Sequence, residues 1–154
     1  MSEYYANIVW QKKLGEDFVN NKYSRVHIWE FDGGVQVSAS SSPHIVPLPY
    51  SDELSVDPEE AFVASLSSCH MLWFLALAAK NKHEVVSYRD HAKGIMKKNQ
   101  EGKLAITLIT LRPVVEFEGD NVPSTERLRE LHHEAHEKCF IANSIKTEVV
   151  IELA

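Results

Sequence analysis

The sequence predicts an α+β protein in which antiparallel sheets pack on one long buried helix. Three observations predict it. Short β-rich runs are joined by hairpin-type turns, of which Asp32-Gly33-Gly34 is the strongest. The run from Pro58 to Lys80 is nearly free of charge after its first turn and carries apolar or small residues on every face, so every face needs cover. A second run, Ser124 to Cys139, repeats Leu128, Leu131 and Ala135 at helical spacing on one face.

Taken in order, Tyr4 to Trp10 is aromatic and β-branched and reads as a strand. Lys12 to Asn21 is a polar loop. Tyr23 to Phe31 and Val35 to Ser40 are the arms of a hairpin around Asp32-Gly33-Gly34. Ser41 to Ser55, with Pro43, Pro47 and Pro49, is a long irregular connection, a kind of segment that is often functional. Asp57 then caps a helix, with Pro58 at its first position and Glu60 placed to reach back to the cap. Val85 to Met96 reads as one strand, Asn99 to Gly102 as a turn, and Leu104 to Phe117 as the longest β segment, with Pro113 marking an edge or a bulge. Ser124 caps the second helix, and Ile145 to Leu153 closes the chain as an alternating strand.

The length of 154 residues fits a single domain, 1–154, large enough for a real core. The apolar central helix has more greasy surface than one such domain covers, so the remaining faces predict a second copy of the chain in an intertwined homodimer. The net charge of −6 argues against nucleic acid or an anionic membrane as a partner. Ala61 to Ala79 approaches the roughly 20 residues of a membrane span, but Ser65, Ser67, Ser68, Cys69 and His70 interrupt it. The first residues lack the pattern of an export signal, so a cytoplasmic location with reduced thiols is expected for the two cysteines.

Cys69 is the first candidate for chemistry. A lone cysteine among Ala, Leu and Ser is commonly just a small buried hydrophobe. Here the serines before it and His70 after it form the one polar interruption of the run. A break at Ser65–Ser68 would set Cys69 near a fresh helix start, where the dipole and free N–H groups stabilise a thiolate. Cys139, at the end of the second helix, is packing or the second half of a reversible disulfide. His132, His136 and Cys139 fall at i, i+4 and i+7, a spacing that could suit zinc. The zincin pattern fails, because Glu134 follows His133 and His136 is only three residues on, so no metal is expected. Arg25 and His27 share a strand face with Tyr23 and Trp29: an ordinary exposed arginine, or a guanidinium that steadies a thiolate. Glu59 and Glu60 already suit the first helical turn through the dipole.

These residues together resemble a known family. Asp57-Pro58-Glu59-Glu60-Ala61-Phe62, then Ser67-Ser68-Cys69 and an apolar helix, is similar to the OsmC/Ohr superfamily, as is Ala135-His136-Glu137-Lys138-Cys139 followed by Asn143-Ser144 and a closing strand. Arg25 to Gly34 looks like one OsmC-like branch. The resemblance covers nearly the whole chain. It departs at Phe140, where the family often has proline, and at His70 and Trp73.

The resemblance implies an OsmC-like fold as an intertwined homodimer and a thiol-dependent peroxidase acting on organic hydroperoxides. Cys69 matches the peroxidatic cysteine and Cys139 the resolving one; Glu59 takes the place of a characteristic glutamate, and Arg25 is the best match to an activating arginine. Phe62, Leu66, Met71 and Trp73, with part of the Ser41–Ser55 loop, would hold the organic tail. An external thiol would reduce the disulfide, and no cofactor is expected. On an unbroken helix Glu59 and Cys69 would be about 15 Å apart along the axis, so a shared site calls for a break near Ser65–Ser68, a reaching arginine, or a glutamate acting from elsewhere. The alternatives are a non-catalytic ligand-binding or structural dimer of the same fold, or a His/Cys metal site on the second helix.

Overall fold

A computed structural model describes residues 1–154, which form two compact units, Met1–Ala61 and Phe62–Ala154. The first unit holds an antiparallel meander of β1 (Ala6–Val9), β2 (His27–Phe31) and β3 (Gln36–Ala39). Its register sets Trp29 opposite Ile8 and Val37. The turn between β2 and β3 is closed by hydrogen bonds between Phe31 and Val35 and from Gly34 N–H to the Phe31 carbonyl; Gly34 has φ +87°, which a glycine adopts without strain. The strands are shorter than the β-rich runs because Trp10, Phe18 and Tyr23 instead cluster beside them, Trp10 edge to face with Tyr23 and Phe18 tilted against both. The Ser41–Ser55 connection is irregular and held by serines: Ser40 Oγ accepts from Asp52 N–H at 3.0 Å, and Ser55 Oγ donates to the Asp52 carboxylate at 2.6 Å.

Helix α1 spans Pro58–Lys80. The expected capping box forms: Asp57 Oδ1 accepts from Glu60 N–H, and Glu60 Oε1 accepts from Asp57 N–H, both at 2.8 Å. Helix α1 does not break at Ser65–Ser68, the one condition under which Cys69 would lie near a helix start. Ser65 Oγ donates to the Phe62 carbonyl at 2.8 Å, and Ser67 Oγ donates to the Asp90 carboxylate, so the small polar residues find partners without opening the helix. Cys69 therefore lies midway along a continuous helix, where no helix start stabilises a thiolate.

The second unit contains most of α1, two sheets and helix α2 (Thr125–Lys138). Strand β4 (Glu84–Asp90) pairs antiparallel with β7 (Pro113–Glu118), while β5 (Lys93–Lys98), β6 (Leu104–Leu111) and β8 (Glu148–Ile151) form the other sheet in the order β5-β6-β8. Two runs expected as single strands are thus each divided between sheets. The cause is local. The Asp90 carboxylate accepts the Arg112 N–H at 2.6 Å and the Ser67 hydroxyl, which takes the chain out of the ladder at both crossings, and Pro113 has no N–H to continue it. The pairing of β8 with β6 is parallel, unlike the all-antiparallel expectation.

The core of this unit has two parts. Phe74, Leu77 and Ala78 of α1 pack with Leu131 and Ala135 of α2; Leu66 packs with Ile109, Leu111 and Cys139. Gly94 on β5 lets the sheet approach α1, since a Cβ there would stand 2.7 Å from Val63 Cγ2. Buried positions Leu66, His70, Phe74, Leu77 and Ala78 follow one stripe of α1. The other stripe is open, with Leu72 61% exposed. The helix has the length and composition of a membrane span, yet its buried stripe forms the core of this α+β fold.

Candidate active site

Along the open stripe of α1, Ser65, Ser68, Cys69, Leu72, Trp73 and Ala76 share one side at helical spacing. Together with Phe140 and Ile141 they line a cavity of about 530 Å³. Two serine hydroxyls apart, the lining side chains are apolar or sulfur-bearing. Trp73 and Phe140 meet edge to face at 5.4 Å, and the Lys138 ammonium stands 5.7 Å from the Trp73 ring centre. Phe140, where the resembling family often carries proline, is thereby a cavity wall.

Cys69 is half-buried in that wall, whereas Cys139 is fully buried, and both thiols are free. Cys139 ends α2: its N–H donates to the His136 carbonyl at 3.1 Å, and its Sγ accepts from Ala142 N–H at 3.4 Å. Burial pushes the Cys139 thiol up to about 11, the neighbouring Cys69 adds to the rise, and the Ala142 N–H opposes it. The fold thus brings the two cysteines together, one facing the cavity and the other behind it in the core. The signal for this in the sequence was their placement on the two helices, and their contact is a tertiary fact.

Trp73 is the one member of the expected tail-binding set in the cavity wall. Leu66 lies in the core beside Cys139, Phe62 packs against the same core, and Met71 is half-buried off the wall. Ser65, Ser68, Leu72, Ala76, Phe140 and Ile141 went unnamed as wall residues; the i, i+3, i+4, i+7 spacing from Ser65 could have found the helical ones. Arg25 and Glu59 belong to the first unit. The Arg25 guanidinium lies over the Tyr23 ring at 3.6 Å and donates to the Asn21 and Tyr23 carbonyls. Glu59 Oε2 is buried without a hydrogen-bond partner.

His70 and His132 differ most from a solvated polar patch. Each is 1% exposed, and His70 Nε2 meets His132 Nδ1 at 3.0 Å across the two helices. Phe74 stacks on His132 at 4.2 Å. Burial lowers both imidazoles, His70 to about 4 and His132 to about 3; His136 adds to the depression of His70, and Asp90 opposes it. Cys139 turns to Cys69 and His132 to His70, so no three His, Cys, Asp or Glu groups gather around a metal position.

The family described as OsmC-like protein matches residues 51–154. An OsmC-like protein of unknown function from Vibrio cholerae O1 biovar eltor is 56% identical in sequence, with a TM-score of 0.99 over 100% of both chains. The organic hydroperoxide resistance protein OhrB of Bacillus subtilis is 19% identical, with a TM-score of 0.64 over 98% of each chain, and so shares the fold. An organic hydroperoxide resistance protein from Legionella pneumophila is 15% identical, with a TM-score of 0.67 over 99% of this chain and 97% of its own. Comparison with curated proteins finds no match.

Proposed function

The chain belongs to the OsmC-like protein family, and from that premise we propose that it is a cysteine-based peroxidase that reduces organic hydroperoxides. One observation carries the reading: a half-buried Cys69 opens onto an apolar cavity of about 530 Å³ and packs on its other side against the core cluster that holds the buried Cys139.

The Cys69 thiolate attacks the terminal oxygen of the hydroperoxide. The O–O bond breaks, the sulfur becomes a sulfenic acid, and the alkoxide leaves as an alcohol after taking a proton. The neighbouring Cys139 sulfur then attacks the sulfenic sulfur; the S–S bond forms, and the hydroxyl leaves as water with the Cys139 proton. An external thiol restores both cysteines. Trp73, Leu72 and Phe140 would grip an organic tail, which hydrogen peroxide lacks. Arg25 is the guanidinium proposed to steady the thiolate and orient the peroxide, with Glu59 as its anchor; the unpartnered buried Oε2 of Glu59 supports that pairing.

The working form is proposed to be a cytoplasmic homodimer. The exposed apolar residues Leu72, Tyr4, Ile8 and Val9 support a second copy as their cover. The test is consumption of cumene hydroperoxide by reduced protein, with free thiols counted afterwards. Loss of both thiols in the native chain, with Cys69→Ser inert, is the expected result. No consumption at excess peroxide would overturn the reading. Arg25→Gln is expected to slow Cys69 oxidation by about 100-fold, and an unchanged rate would remove Arg25 from the scheme.

A further inference from the structure

A second cavity, of about 260 Å³, lies between α2 and the last strand. Arg129, His132, His133 and His136 line one side at i, i+3, i+4 and i+7, which is one flank of α2. Val149 and Ile151, alternate residues of β8, and Leu153 beyond it line the other. One wall is therefore cationic or imidazole-bearing and the other is aliphatic, in a chain of net charge −6.

The floor of this cavity is His132. Its Nδ1 is bound to His70, and its Nε2 is buried with no partner; His70 Nδ1 likewise has none. Two neutral imidazoles share one proton in their mutual bond, which leaves one N–H and one lone pair over. If His132 gave that proton, the orphan N–H would be His70 Nδ1–H, sealed between the helices. If His70 gives it, the orphan is the buried Nε2–H of His132, the residue of the pair that lines the cavity. A buried N–H without a partner is costly, so a bound ligand that accepts from it favours this arrangement. Burial keeps His132 neutral, so this group is a donor of a hydrogen bond and not of charge.

The charge comes from Arg129, which makes no ion pair. Glu130 and Glu134 share a neighbouring hollow with Arg129 and His133, but both are paired with Arg127, at 2.7 and 3.2 Å, and Glu126, three residues before Arg129, makes no ion pair with it. An exposed unpaired guanidinium, a buried orphan donor and an aliphatic wall together describe a ligand with an anionic head and a short apolar tail.

We propose that this cavity is a binding site for a small organic carboxylate, with Arg129 holding the carboxylate as a fork, His132 Nε2–H donating to one of its oxygens, and Val149, Ile151 and Leu153 covering its chain. A planar carboxylate suits the guanidinium fork. The aliphatic wall separates this class from inorganic phosphate, which would leave it uncovered. The proposal uses none of the Cys69 chemistry and stands or falls apart from it.

The experiment is a titration of the reduced, full-length protein with sodium butyrate, followed by the imidazole ¹H–¹³C resonances of the histidines and the ¹⁵N resonance of His132 Nε2. Saturable shifts at His132, His133 and His136, with the ¹⁵N resonance of His132 Nε2 moving as its N–H gains an acceptor, are expected. Arg129→Gln changes an exposed residue and leaves the fold intact; it is expected to weaken butyrate by about 10-fold or more. Inorganic phosphate is expected to bind at least about 10-fold more weakly than butyrate. Shifts that never saturate, an Arg129→Gln variant that binds equally well, or phosphate binding as tightly as butyrate would each overturn the proposal.

Discussion

Helices α1 and α2 are joined by two like pairs set side by side: Cys69 with Cys139, and His70 with His132. Within each pair the members lie on the same two helices, and in the sequence the α1 members are neighbours. Their surroundings differ. The cysteine pair has one half-buried member on a large apolar cavity and one fully buried member. The histidine pair is closed to bulk solvent on both sides, at 1% exposure each, and touches only the floor of a small cavity. A single step along a helix turns a side chain by about 100°, which is enough to carry one residue to a reactive surface and the next into the core. Exposure, more than residue type, divides the proposed chemistry from structure here.

That contrast can be broken at several points. The largest effect is expected for Cys69→Ser, which should lower the rate of hydroperoxide consumption by about 1,000-fold or more, since the attacking sulfur is gone. Stopped-flow consumption measures it directly, and residual activity near the native level would move the reaction to another residue.

The histidine pair should answer to pH and leave the first oxidation step alone. Its folded-state values, about 4 for His70 and about 3 for His132, lie below the ordinary 6.5. Between those values the unfolded chain binds the protons that the folded chain refuses, so stability rises with pH. The contribution is complete above pH 6.5 and is lost as pH falls toward 4. The loss expected is of order 3 kcal/mol for each histidine. Urea midpoints at neutral and acid pH should show it, and His132→Gln should flatten the dependence. An equally steep loss in that variant would assign acid unfolding to other groups.

Cys139→Ser should separate the two sulfurs. The first equivalent of peroxide is still consumed, while turnover supported by an external dithiol falls by about 100-fold, because the sulfenic acid has no internal partner and is open to overoxidation. Turnover at the native rate would mean that reductant meets Cys69 directly. The smallest effect is expected for Trp73→Ala. Removing half of the aromatic wall should lower kcat/KM for cumene hydroperoxide by about 10-fold and leave hydrogen peroxide unchanged. Equal losses for both substrates would show that the wall serves the fold and does not select the tail.

Much of this was legible in the residues. The capping box at Asp57, the extent of α1, the Ser124 cap and the hairpin at Gly34 all follow from local patterns whose partners lie within a few residues. What was not legible depends on distant partners. The division of two long β runs turns on Asp90, which reaches both Ser67 and Arg112, some 20 residues away in each direction. The continuity of α1 through Ser65–Ser68 depends in part on that same carboxylate. His70 reads as a surface interruption until His132, 62 residues on, takes it into the core. Of the proposed site, the two cysteines and Trp73 stood out in the sequence, whereas Phe140 became a wall residue only through its packing on Trp73.

The central claim is that Cys69 meets the oxidant first and Cys139 second. Its most direct test is peptide mapping by mass spectrometry after one equivalent of cumene hydroperoxide is added to the reduced protein and to the Cys139→Ser variant. The account predicts a Cys69–Cys139 disulfide in the native chain and a sulfenic acid, trapped by dimedone, on Cys69 in the variant. Unmodified thiols in both proteins, or oxidation confined to Cys139 in the native chain, would contradict it.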